Sequence, residues 1–167
     1  MSKKNPRPVP QFNTPIVETH CHLDYLDADA LEDVLSSSLE VGVERLITIG
    51  VSPGNQSAVL ALTETSERIW GTQGIHPHEA EHWNEQVATQ VRQGAMHPRI
   101  VAIGEIGLDY YYDHADRNAQ ARAFEAQLAL AIELDLPVVI HTREADADTR
   151  AMLANISGQL RRGGVIH

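Results

Sequence analysis

The sequence predicts an α/β fold of parallel βαβ units, arranged as a TIM-type (β/α)8 barrel and C-terminally truncated after about six strands. Three observations predict it. Short, continuous apolar segments rich in β-branched residues alternate with stretches of helical periodicity, the pattern of parallel strands covered on both faces. No glycine-rich turn follows the first strand, so the usual marker of an open, doubly wound sheet is missing. His or Glu stands at the C-terminal end of strand after strand, where a barrel of this type gathers its active site.

Residues 1–15 carry Pro6, Pro8, Pro10 and Pro15 and read as a flexible arm ahead of the domain, which occupies 16–167. Ile16–His22 is the first strand. Leu31, Val34, Leu35 and Leu39 then recur on one helical face, with Asp29 and Glu32 as a capping box and Gly42 as the stop. Leu46–Ser52 is the second strand, and Ser52-Pro53 opens a helix with Pro at its first position. Ile69–Ile75 is a weaker strand. Glu79–Gln93 is helical, with Trp83, Val87 and Val91 on one side. Ile100–Ile106 is a clear strand, and Ala119–Leu134 a helix that turns Phe124, Leu128, Ala131 and Ile132 inward. Pro137–His141 is a buried strand, a helix runs to about Leu160, and Gly163–His167 opens a sixth strand.

The composition narrows the function. A net charge of −10 excludes a non-specific nucleic-acid coat, which needs Lys and Arg in excess. It leaves room for an enzyme whose positive charge comes from bound metal. No apolar run reaches the roughly 18–20 residues of a membrane span, and the basic N-terminus lacks the apolar core of a secretory signal. Cys21 stands alone, which points to a reducing, cytoplasmic setting.

His20 and His22 lie two apart on a strand, so both imidazoles face one way. Such a pair either clamps a metal ion or forms a buried, hydrogen-bonded couple. Cys21 faces the other way, into the core. Glu105 ends an apolar run, and a carboxylate buried there calls for a cation. His141 and His167 each follow an apolar strand one βα unit apart. Two His from strand one, Glu105 from strand four and one His from each of strands five and six are too many ligands for one closed structural site. They suit two divalent ions, Mg, Zn or Mn, sharing a carboxylate. Glu105 and His141 are the candidate catalytic residues. Arg143 can fork onto an anion such as phosphate, or form a surface ion pair. His76, after the third strand, and Asp109 are further candidates for contacting substrate.

At these residues the sequence resembles the TatD-related metal-dependent deoxyribonucleases of the amidohydrolase superfamily. The resemblance covers 16–167 and rests on ETHCHLD, GIHPHEA, GEIGLDYYYD, RAFEAQLAL, LPVVIHTREA and GVIH, in that order. It implies a (β/α)8 barrel, with His20 and His22 on one metal, His141 and His167 on a second, and Glu105 bridging. It implies DNA as substrate and phosphodiester hydrolysis by a water that two metals activate. The family also uses an Asp of the eighth strand, which has no counterpart before His167. Two other readings stand beside this one: a small-molecule amidohydrolase or lactonase on the same metal pair, and a catalytically incomplete fragment.

Overall fold

In the computed structural model, which describes Pro10, Phe12 and residues 14–167, six strands form one parallel sheet in sequence order. They are β1 (Ile16–Cys21), β2 (Val43–Thr48), β3 (Ile69–Gln73), β4 (Ile100–Asp109), β5 (Val138–Arg143) and β6 (Gly164–Ile166). The crossovers are α1 (Ala28–Glu40), α2 (Gln56–Thr65), α3 (Glu85–Ala95), α4 (Arg117–Leu134) and α5 (Asp146–Ile156). Sequential parallel order is what consecutive βαβ units of a barrel wall produce, and the expected fold class holds. Among the described residues β1 pairs only with β2 and β6 only with β5, so the wall does not close by hydrogen bonds. Most of the Pro-rich arm expected over 1–15 lies outside the described residues. No described helix is long and apolar enough to cross a membrane.

The largest cluster of buried side chains lies between the central strands and α4, and includes Ile103, Ile106, Leu108, Phe124, Leu128 and Ile140. Phe124, Leu128 and Ala131 face inward as their spacing predicts, while Ile132 is half-buried. The flanks are thinner. α1 buries none of its residues fully, and Val17, Val165 and Ile166 remain exposed on the two edge strands.

Several boundaries differ from expectation, each for a local reason. Asp27, not an Asp29–Glu32 box, caps α1 by accepting from the Ala30 N–H at 2.9 Å. Gly42 ends that helix with φ +90, which a side chain would resist. α2 starts at Gln56 rather than at Pro53. The Asn55 carboxamide accepts from the Val51 and Ser52 N–H groups at 2.9 and 3.0 Å, which closes a loop before the helix can begin. The helix expected from Glu79 is a 3-10 turn over Pro77–His82. α3 begins only after Asn84, whose side chain accepts from the Gln86 and Val87 N–H groups. β4 runs three residues past Ile106, to Asp109, and that extension shapes the site.

Three buried glutamines hold the strand ends. Gln56 accepts from the Gly74 N–H and donates to the Gly74 carbonyl, at 3.1 and 2.8 Å. Gln127 does the same for Ile75, at 2.7 and 3.1 Å, and Gln120 for Asp109, at 2.8 and 3.0 Å. Each carboxamide replaces the peptide group a neighbouring strand would offer, so no buried backbone group is left unpaired there. Gln127→Leu is expected to strand both Ile75 groups and lower the unfolding free energy by about 2–4 kcal/mol, read from urea titration.

Candidate metal centre

The C-terminal ends of β1, β3, β4, β5 and β6 converge on Glu105. Its carboxylate is 3% exposed, and four imidazoles surround it. His20 Nε2 lies 3.3 Å from Oε2. His167 Nε2, His141 Nδ1 and His76 Nε2 lie 2.6, 3.1 and 3.6 Å from Oε1. Burial pushes the Glu105 pKa up. Hydrogen bonds from His141, His20 and His167, with the charge of His76, outweigh it and hold the carboxyl far below its usual range.

Two groups of three residues place their ligand atoms within 4.8 Å of one another: His20 with Glu105 and His167, and His76 with Glu105 and His141. Either group could hold a metal ion. The donor set fits a borderline divalent cation, with neutral imidazoles and a shared carboxylate. A second observation agrees with that chemistry: Nδ1 of both His20 and His22 is buried with no hydrogen-bond partner.

The grouping differs from a simple strand-by-strand pairing. His20 and His167 come from opposite edges of the sheet, yet their ring centroids are 4.0 Å apart. The curl of the wall points both side chains at one axis. β1 ends at Cys21, and the chain turns at His22 into the 3-10 turn Leu23–Tyr25. His22 therefore stands outside both groups, its ring 5.4 Å from His20 and stacked on Tyr25. Burial, then the neighbouring His20, lowers its pKa.

His76 faces the Glu105 carboxylate. Its Nδ1 accepts from the His78 N–H at 3.2 Å, which aims Nε2 at Glu105. Burial lowers its pKa to about 3, so the ring is neutral and, with Nδ1 accepting, its one proton sits on Nε2, facing Glu105. His141 has a carboxylate at each nitrogen: Glu105 at Nδ1, and Asp109 at Nε2 at 3.0 Å. Burial works against its protonation, but these two partners prevail and raise its pKa.

Asp109, the other residue expected at the substrate, is fully buried. The extra length of β4 carries it inside. There Oδ1 accepts from the Tyr111 and Tyr112 N–H groups at 3.0 and 2.9 Å, while Oδ2 meets His78 Nε2 at 2.9 Å and His141 Nε2. Burial raises its pKa, but the Tyr112 N–H and the two histidines bring it to about 2. Arg143 is exposed and lies apart from the Glu105 cluster. Its guanidinium rests 4.2 and 4.6 Å from the Tyr111 and Tyr112 ring centroids. A cleft of ≈ 420 Å³ opens beside the centre, lined by His22, Tyr25, His76, His78 and Glu105 among others. The glutamine clamps escape sequence reading; the only signal for Gln120 and Gln127 is a polar residue among the inward-facing positions of α4, and for His78 its place in GIHPHEA.

Comparison with known proteins agrees with this geometry. The family described as TatD related DNase matches residues 17–167. An uncharacterized metal-dependent hydrolase, YabD of Bacillus subtilis (strain 168), is 32% identical over 153 residues, 91% of this chain and 60% of the relative. The 3'-5' ssDNA/RNA exonuclease TatD of Rahnella sp. (strain Y9602) is 40% identical over 144 residues, 84% of this chain and 53% of the relative. The crystal structure of YJJV, a TATD homolog from Escherichia coli k12, superposes with a TM-score of 0.83 at 31% identity, over 90% of this chain and 59% of that one. The chain thus spans between about half and three-fifths of the length of these relatives. A family match over nearly all of the described domain, on a parallel barrel wall whose strand ends meet at one buried Glu, places this chain in the TatD related DNase family.

Proposed function

We propose that the protein hydrolyses phosphodiester bonds in nucleic acid with two divalent metal ions held around Glu105. The observation that carries this reading is the buried Glu105 carboxylate under four imidazoles. Glu105 would be shared between the ions, with His20, His22 and His167 on one side and His76 and His141 on the other. The ions would lower the pKa of a water and neutralise charge on the phosphate oxygens. The chain's own residues do the rest. His76, neutral above about pH 3, adds no charge to the centre, and to ligate an ion through Nε2 it would give up the hydrogen bond that its Nδ1 accepts from His78. Arg143 offers its planar fork to a phosphate at the mouth, against the tyrosine faces.

The names of the Rahnella and Bacillus relatives support a metal-dependent hydrolase acting on single-stranded DNA or RNA. A net charge of −10 agrees with attraction confined to the mouth rather than spread over the surface. The test offers the full chain single-stranded and duplex oligonucleotides and a set of lactones, with Mg²⁺, Mn²⁺ or Zn²⁺ and with chelator. Metal-dependent cleavage of oligonucleotide is expected. Turnover of lactones alone, or cleavage that persists in excess chelator, overturns the reading. Arg143→Ala is expected to raise KM for oligonucleotide roughly tenfold while thermal unfolding stays in place, because the side chain is exposed.

A further inference from the structure

We infer that Asp109 is a positioning residue that fixes the ring orientation and tautomer of His141, so that Nδ1 is the nitrogen presented to the metal centre. The inference rests on the metal reading above and assigns a residue to it.

The Asp109 carboxylate cannot turn. Gln120 grips its backbone N–H and carbonyl, the Tyr111 and Tyr112 N–H groups hold Oδ1, and His78 and His141 occupy Oδ2. No part of the residue reaches solvent. An ionised carboxylate only accepts hydrogen bonds, so the His141 nitrogen that faces it must carry a proton. That nitrogen is Nε2, at 3.0 Å. The same holds at Nδ1, 3.1 Å from Glu105, but Glu105 belongs to the His76–Glu105–His141 group and Asp109 to neither group, so the proton an incoming ion would displace is the one on Nδ1. A carboxylate behind a ligating imidazole sets both its tautomer and its basicity, and its loss typically costs about 10–100-fold in metal affinity.

Asp109→Asn separates this role from a merely structural one. The amide oxygen still accepts from Tyr111 and Tyr112, so the turn is kept. The NH₂ group then faces His141, and the best hydrogen bond requires Nε2 as acceptor and moves the ring proton to Nδ1. The experiment is calorimetric titration of Zn²⁺ and Mn²⁺ into the full chain, wild type and variant. It is joined by long-range ¹H–¹⁵N spectra of the histidine rings in the Zn²⁺-loaded wild type. The expected result is His141 protonated at Nε2 in the wild type, and metal affinity about 10–100-fold weaker in Asp109→Asn. A wild-type His141 unprotonated at Nε2 overturns the inference without recourse to the variant. So does a folded Asp109→Asn that binds metal as tightly as the wild type, and both results leave the metal reading intact. A wild type that takes up no ion sinks the metal reading itself, and the inference with it.

Discussion

Glu105→Gln is expected to remove hydrolysis and metal uptake together while the chain stays folded. Gln matches Glu in volume, so the packing around position 105 has no new void to close. The backbone anchor also persists, since the Glu105 N–H donates to the Gly50 carbonyl at 2.7 Å. What disappears is the negative charge that both three-residue groups share. Without it, four imidazoles would face a neutral amide, and two cations would be held against each other with nothing between them. The loss in turnover should be about a thousandfold or more, the scale seen when a main electrostatic element of a site is removed. Oligonucleotide cleavage under single-turnover conditions and a metal titration measure the two effects separately. A variant that cuts within tenfold of the wild type would show that Glu105 is not the centre of the chemistry.

The parts of the molecule legible in the sequence are those written as periodicity along one segment. An apolar run ending in His or Glu says both strand and mouth, which is why His20, Glu105, His141 and His167 stand out in the sequence alone. Alternation of such runs with helical stretches is enough to give the parallel wall. What the sequence does not spell out depends on distant backbone. The meeting of His20 with His167 needs the curl of all six strands. The aim of His76 comes from a turn in which its own Nδ1 is occupied by the His78 N–H. Gln127 finds its partner 52 residues away, at Ile75. Asp109 reads as a loop residue because Gly107 interrupts the apolar run, yet β4 continues through it. In each case the deciding hydrogen bond links positions whose nearness only the folded chain defines.

Gly107→Ala is expected to be among the most damaging single-methyl changes in the chain. Gly107 lies opposite His141 in the β4–β5 register. Its φ of +140 belongs to a region that L side chains rarely enter. Holding alanine there costs about 1–3 kcal/mol in backbone strain alone. The added Cβ would also run into the His141 carbonyl oxygen, a backbone atom that cannot swing aside as a side chain could. Relief requires β4 and β5 to part at the residue that carries His141, which loosens the sheet and the metal group in one step. A loss of about 3 kcal/mol or more is expected in urea unfolding, a large share of the roughly 5–15 kcal/mol that holds a domain together. Metal affinity should fall with it. Gly158→Ala is the matched control: nothing lies within 4 Å of its added Cβ and its φ is not positive. That change should leave stability unchanged or raise it by about 0.4–1 kcal/mol, by restricting the unfolded chain. Equal stability of the two variants would mean that the close approach of Gly107 to His141 does not hold the strand in place.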